Sequence, residues 1–319
     1  MPSLTSLLQF RVNRHRRLLW TISGLGLLLS VVGIAASWLA PGISAPLRPG
    51  LDFTGGTQIE LTRRCDSGCA PLTVPELEAA VRAVDLPAEP SAPAPDLRGV
   101  TAQLLEDGRQ LTLRLPTLSA AQGQTLVNQL QPIVGEVVPG GLSVETIGPT
   151  LGSQLLRSSL ISLLVSFVGI ALYITFRYDR VFAVLALVCL AHDVLITCGV
   201  FAWLGLLSGV EVNSLFAVAL LTIAGYSVND TVVIFDRIRE KRSQLQGQPL
   251  ADQADAAVQA TLTRSLYTSL TTLLPLIALI LFGGSTLFWF AIALSVGILV
   301  GAWSSIALAP TLLPVLSRR

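Results

Sequence analysis

Six apolar runs dominate this chain: Leu18–Ala40, Leu155–Phe176, Val181–Leu207, Val212–Phe235, Ser265–Phe282 and Thr286–Leu308. Each is near the roughly 20 residues a helix needs to cross the hydrocarbon core of a bilayer. In lipid every backbone N–H and C=O must find its partner inside its own segment, and an open-ended stretch does so only as a helix. The pattern predicts an α-helical polytopic membrane protein with six transmembrane helices. Composition agrees, since 52% hydrophobic and only 13% charged residues suit lipid better than water. A net charge of +1 gives no basis for a nucleic-acid partner.

The first run follows Arg11, Arg14, Arg16 and Arg17, as a signal peptide would, but it exceeds the usual apolar core of about 7–15 residues and begins late. It reads as an uncleaved anchor. Orientation comes from the short loops. Arginines precede the first run, Arg177 and Arg180 separate the second from the third, and Arg237, Arg239, Lys241 and Arg242 follow the fourth. Arg318 and Arg319 end the chain, whereas Ser208–Glu211 and Gly283–Ser285 hold no Lys or Arg. The positive-inside rule then puts both termini in the cytoplasm. The expected plan is a cytoplasmic stretch 1–17, a first span 18–40 and an extracytoplasmic domain 41–152. A bundle over 155–310 follows, with spans 155–176, 181–207, 212–235, 265–282 and 286–308, a cytoplasmic loop 236–264 and a cytoplasmic tail 311–319.

Prolines and charges return in the outer segment. Thr57–Thr62 alternates like a strand, and Thr73–Val84 has Val74, Leu77, Val81 and Val84 at helical spacing, with Thr73 as N-cap and Glu76 three residues on. Val100–Leu105 and Gln110–Leu115 read as strands joined at Asp107-Gly108, Ser119–Val134 as a helix and Leu142–Ile147 as a last strand. The order β-α-β-β-α-β predicts an extracytoplasmic α+β ferredoxin-like domain. Pro87–Pro95 reads as a loop. Cys65 and Cys69 bracket Asp66-Ser67-Gly68 and are candidates for a local disulfide; no histidine lies near enough to suggest zinc, and no metal site is expected. Cys189 and Cys198 read as small apolar helix residues. Gly297 and Gly301, Gly24 and Gly33, Gly169, and Ala217 and Ala224 are candidate close-packing positions. The amphipathic stretch from about Asp252 to Thr263 reads as an interfacial helix on the membrane surface.

Chemistry concentrates in a few polar residues within the apolar runs. Asp230, beside Asn229, lies about five residues from the expected cytoplasmic end of the fourth span. An ionisable group at such depth usually faces protein or water and has a task. Arg264 opens the next span on the same side, so an Asp230–Arg264 pair is expected, one that could open and close as Asp230 takes up a proton; a static salt bridge is the plainer reading. His192-Asp193, mid-way along the third span, could extend a proton path or bond Asn229, or simply be packed polar residues. No P-loop signature is present, so ATP is not the expected energy source. His15 and His192 are the only histidines, too few for a histidine-rich metal cluster. No cofactor is expected. A proton gradient would suffice, because one charge crossing 100 mV releases about 2.3 kcal/mol.

Several motifs together resemble one family. They are Asp52-Phe53-Thr54-Gly55-Gly56 after the first span, Gly148–Gly152 before the second and Phe176-Arg177-Tyr178 after it. Ala191-His192-Asp193, Gly225–Glu240 and Arg264–Ser269 complete the set. On these the chain resembles the SecD/SecF family of bacterial protein-export membrane proteins, related to RND-type proton-driven exporters. The resemblance implies a subunit that works with SecD, the SecYEG translocon and YajC on translocating preproteins. It implies residence in the bacterial plasma (inner) membrane, use of the proton-motive force rather than a cofactor, and no enzymatic activity. The family's transmembrane aspartate falls on Asp230 and its arginine on Arg264. Two other readings stand beside it, an RND-type exporter of small molecules or lipids and a passive translocon scaffold.

Overall fold

The computed structural model describes residues 11–65, 69, 71–88, 94–105 and 108–317. Of the sequence expectations, the Asp66–Gly68 turn, Asp107, residues 89–93 of the proline-rich loop, and Arg318 and Arg319 lie outside the described residues. Two compact units result, one running to Arg48 and resuming at Ser159, the other spanning Pro49–Ser158.

The first unit is a helix bundle. After a 3-10 turn at Val12–His15 come α1 (Arg16–Leu39), the helix α5 (Pro149–Arg177), which begins in the second unit, α6 (Arg180–Ser208), α7 (Ser214–Gln244) and α8 (Leu250–Phe282). The last rod is α9 (Gly284–Trp303), a π-helical turn Ser304–Leu308 and α10 (Ala309–Leu316). Six of these rods are long and apolar enough to cross a membrane. Local chemistry sets their ends. Gly209 leaves α6 in the left-handed region at φ 70°, and the Asn213 side chain caps α7 by accepting from the Phe216 N–H at 3.2 Å. A backbone bond from Val212 N–H to Arg48 O, 2.9 Å, and an Arg48–Glu211 ion pair at 3.7 Å tie the segment after α1 to this loop.

Apolar side chains of α5, α6, α7, α8 and α10 form the bundle's main core around Leu185, Cys189, Ile234, Phe235 and Ala257. Cys189 is buried there and Cys198 is half-buried. Small residues decide how near the helices come. A Cβ on Gly199 would meet Ser30 Cα at 2.4 Å, and one on Gly297 would meet Ile223 Cδ1 at 2.3 Å, so α6 nests on α1 and α9 on α7. Gly33 is filled the same way by the Trp203 ring, 2.6 Å from a built Cβ. Gly24 and Gly169 face open space and do not serve as packing notches.

The interval 236–264 differs most from expectation. Only residues 245–249 interrupt the helices there, because α7 runs on to Gln244 and α8 starts at Leu250. The stretch from Asp252 to Thr263 is the first half of α8, not a separate interfacial helix. Its small apolar face is covered by protein: Val258 packs on Val12, Leu19 and Ala307, and Asn13 donates its backbone N–H and its side-chain amide to Asp255 Oδ1 at 3.0 and 2.8 Å. Amphipathicity alone could not distinguish a lipid surface from this protein groove. Likewise α5 starts six residues before the apolar run at Leu155, since its first turns are polar but still helical.

The second unit holds a helical turn α2 (Leu51–Thr54), β1 (Gly56–Arg63), α3 (Val74–Arg82), β2 (Thr101–Leu105), β3 (Gln110–Leu115), α4 (Ala120–Val134) and β4 (Val137–Ile147). The sheet order is β2-β3-β1-β4, with every neighbouring pair antiparallel, which is the ferredoxin-like split β-α-β arrangement. Ile59, Leu61, Leu111 and Leu113 form one core with Leu77, Val81, Leu126 and Leu130 from α3 and α4. Capping boxes at Thr73/Glu76 and Ser119/Gln122 start the two helices. The last strand is longer than its alternation suggested, because Pro139-Gly140-Gly141 breaks the pattern while β1 continues to pair across a register shift. Cys65 and Cys69 form a disulfide.

Candidate functional site

Among the described residues three aspartates are buried in the bundle, Asp193, Asp230 and Asp255; Asp255 accepts from Asn13, and each of the other two is held by serines from other helices. Asp230 sits near the middle of α7, about 21 Å from its C-terminal end at 1.5 Å per residue, deeper along the rod than the apolar run indicated. It is only 5% exposed. Ser265 of α8 donates to its Oδ1 at 2.9 Å, and Ser305 of the π turn donates to its Oδ2. Asp193 of α6 is fully buried. Its Oδ2 accepts from Ser227 of α7 at 2.6 Å and from Ser304 of the π turn at 2.7 Å, while its Oδ1 meets His192 Nδ1 at 2.8 Å.

Helix periodicity explains this convergence. Ser227 and Asp230 are three apart on α7 and share its inner face. Asn229, two residues beyond Ser227, is turned about 200° away. It is exposed and bonds neither aspartate, so its expected supporting role at Asp230 and its contact with Asp193 are not seen. The π turn supplies the rest. Its wider winding, closed by Ala309 N–H to Ser304 O, lets consecutive residues address different helices.

Arg264 is exposed and forms no ion pair with Asp230 among the described residues. Consecutive residues on a helix point about 100° apart. The inward position therefore belongs to Ser265, and Arg264 instead lines a cavity of about 400 Å³ with Asp236, Arg237, Glu240 and Thr261. His192 is 2% exposed, lines a second cavity of about 260 Å³ with Ser23, Ile196, Leu299 and Trp303, and has its Nε2 buried without a partner among the described residues. Sequence reasoning found both aspartates and missed all four serines. Their signal was present: Ser227 precedes Asp230 by three, Ser265 follows Arg264, and Ser304-Ser305 interrupts an apolar helix.

A hydroxyl can donate to a carboxylate or accept from a carboxylic acid. An aspartate held by hydroxyls keeps its hydrogen bonds in either protonation state, whereas one locked to a guanidinium is held ionised. The cage is therefore suited to a proton that comes and goes.

In the Asp52–Gly56 segment the two glycines are set by backbone conformation and close packing. Gly55 and Gly56 adopt φ of +70° and +120°, which L side chains rarely take. A Cβ on Gly56 would lie 2.6 Å from Leu115 O, one on Gly55 2.9 Å from Pro149 Cα, and one on Gly152 2.8 Å from Gly55 N. The two glycine-bearing motifs thus abut where the chain enters and leaves the α+β domain. Leu51 is buried beneath the turn, and Asp52 and Phe53 are half-buried within it.

Fold and site define a class: a polytopic membrane protein whose bundle buries two hydroxyl-caged aspartates and whose first two long helices bracket an α+β domain. Residues 135–319 match the family described as protein export membrane protein SecD/SecF, C-terminal, and residues 43–66 match the SecD/SecF GG motif. The chain belongs to the SecD/SecF family of protein export membrane proteins. It is 55% identical over 304 residues to protein translocase subunit SecF of Prochlorococcus marinus, covering 95% of this chain and 94% of that one. It is 43% identical over 296 residues to the SecF subunit of Synechocystis sp., covering 92% and 90%. The crystal structure of SecDF, a translocon-associated membrane protein from Thermus thermophilus, superposes with a TM-score of 0.78 at 32% identity. That match covers 97% of this chain and 39% of the longer one. A super-membrane-facing form of SecDF gives 0.62.

Proposed function

We propose that this chain is an accessory subunit of Sec protein translocation, one that works with SecD and lets protons drive late steps of preprotein export. The observation that carries the proton step is the Asp230 cage: a carboxylate buried in the bundle, bonded by Ser265 and Ser305, with no ion-pair partner among the described residues. The polar cavity around Arg264, Asp236 and Glu240 supports a route from the aqueous side, along which Arg264 would swing toward Asp230 at one stage of the cycle. Relatives named SecF, and a relative in which SecD and SecF form one SecDF chain, support SecD as the partner. So does Asn229, exposed on the membrane-spanning helix α7, which lipid covers poorly and a second helical subunit would cover well. SecYEG, YajC and the preprotein are the further partners of this reading. Its setting is the bacterial inner membrane, with both termini cytoplasmic as the loop charges require.

The test is co-reconstitution with SecD and SecYEG in proteoliposomes under a preprotein load. Wild type should conduct protons and Asp230→Asn should not, with export falling in step. Equal conduction by both overturns the proton reading. Unchanged export with Asp230→Asn at equal abundance would favour the passive scaffold.

A further inference from the structure

Ser304 and Ser305 are adjacent in the chain, yet they bond different aspartates on different helices: Ser304 holds Asp193 of α6, and Ser305 holds Asp230 of α7. Each hydroxyl also has a second acceptor. Ser304 Oγ lies 3.1 Å from Gly301 O, and Ser305 Oγ lies 3.1 Å from Ala302 O, both one turn back on the same helix. We propose that Asp193 is a second proton-binding carboxylate, tied to Asp230 by the hydroxyls of Ser304 and Ser305 on the π turn. This rests on the reading of Asp230 as a proton carrier and extends it to a two-site device.

The proton balance is simple at each site. With the aspartate ionised, the serine O–H donates to it. A proton arriving on Oδ2 forms a carboxylic O–H, which donates to the serine oxygen, and the serine turns its own hydrogen to the carbonyl behind it. One negative charge is neutralised by one proton, and no other bond changes. Serine hydroxyls bonded to a carbonyl one turn back bend a helix. Loading either aspartate thus acts on the stretch 301–305 that the other aspartate also grips, and α9 and α10 move as the pair fills or empties. The ionisable neighbours of Asp193 are His192 and Cys189 on its own helix, while α7 and the π turn present it with serines. Asp230 is met by Ser265 and Ser305, with Arg264 turned outward on α8. His192, bonded to Asp193 through Nδ1 and lining the 260 Å³ cavity, gives that proton a second way out, separate from the cavity at Arg264.

The test is an infrared pH titration of the full chain with SecD in proteoliposomes, read at the protonated-carboxyl stretch and paired with proton flux. The difference spectrum of wild type minus Asp193→Asn should show one pH-dependent carboxyl band, and that of wild type minus Asp230→Asn another. Ser304→Ala removes a donor from the ionised form, so the Asp193 band should titrate about one pH unit higher, and Ser304→Thr should restore it. The Ser304 variants keep both carboxylates, so they read the proposal even if Asp193→Asn fails to fold. The proposal is overturned if Asp193→Asn removes no pH-dependent band, or if Ser304→Ala leaves both titrations unmoved. Either result leaves the Asp230 flux standing; loss of the Asp230 band with flux intact would instead sink the proton reading of Asp230.

Discussion

Ser265 donates to Asp230 across the α7–α8 contact at 2.9 Å, while its neighbour Arg264 lies exposed on the cavity side. A neutral hydroxyl favours the ionised carboxylate only modestly, far less than a guanidinium in contact would. Ser265→Ala should therefore leave proton conduction intact and move its pH dependence about one unit higher. Ser265→Thr, which keeps the hydroxyl, should behave as wild type. Arg264→Gln should lower the rate without that shift, because Arg264 does not touch Asp230 in this state. Flux measured across a pH series, with each variant beside SecD, separates the three.

Gly56 is fixed twice over, by φ +120° and by Leu115 O lying 2.6 Å from where a Cβ would sit. The neighbour is backbone of the adjoining strand β3 and cannot swing aside. Gly56→Ala should destabilise the α+β domain by about 2 kcal/mol or more through combined strain and overpacking. For a unit of this size that lowers the melting transition by roughly 8 °C or more. Thermal unfolding of the full chain in detergent, followed by protease susceptibility within 49–158, measures it.

Two glycines of the bundle offer a matched contrast. A Cβ on Gly297 would overlap Ile223 at Cδ1, Cγ1 and Cγ2, between 2.3 and 2.8 Å, whereas one on Gly225 meets nothing within 4 Å. Gly297→Ala should destabilise the bundle by about 1–3 kcal/mol by pushing α9 off α7. Gly225→Ala should be neutral or stabilising by up to about 1 kcal/mol, since alanine is the better helix former. Denaturation in mixed micelles ranks the two, and a larger loss from Gly225→Ala would show that another chain packs on that face.

Most of the architecture is legible in the chain because its rules are local. A run of about 20 apolar residues must be a helix in lipid, and the capping pattern Thr73–Glu76 or the alternation in Thr57–Thr62 announces an element directly. Asp230 and Asp193 stand out for the same reason, as charges in apolar surroundings. Their partners do not. Serine in a helix has no fixed sign, and whether Ser265 or Arg264 meets Asp230 depends on a rotation of about 100° that only packing sets. The π turn is hidden too: Ser304-Ser305 marks a polar break in the apolar run, but nothing in the composition marks the extra residue in its winding. The interval 236–264 is ambiguous in sequence, because its apolar positions can face either lipid or a protein groove such as the one formed by Val12 and Ala307.

Tyr178, between α5 and α6, gives a pH signature outside the spanning segments. The residue is 7% exposed, its ring sits edge-on to Phe235, and its hydroxyl donates to Asp236 Oδ1 at 3.2 Å. Burial, then the charge of Asp236 and the hydrogen bond to it, push its pKa up to about 12, against a small opposing pull from Arg177. A tyrosine raised in the folded state binds its proton more tightly there than in the unfolded chain. Its contribution to stability is therefore complete below the ordinary tyrosine value near 10 and is lost as pH climbs through about 12. A spectrophotometric titration of phenolate, taken as wild type minus Tyr178→Phe, should show one group with its midpoint near 12. Asp236→Asn removes the charge but leaves burial and an amide oxygen that can still accept the hydroxyl, so the midpoint should fall only part of the way toward 10. A difference titration centred at 10 in wild type would mean that Tyr178 is solvated and that the α5–α6 turn does not pack against Asp236 in the membrane.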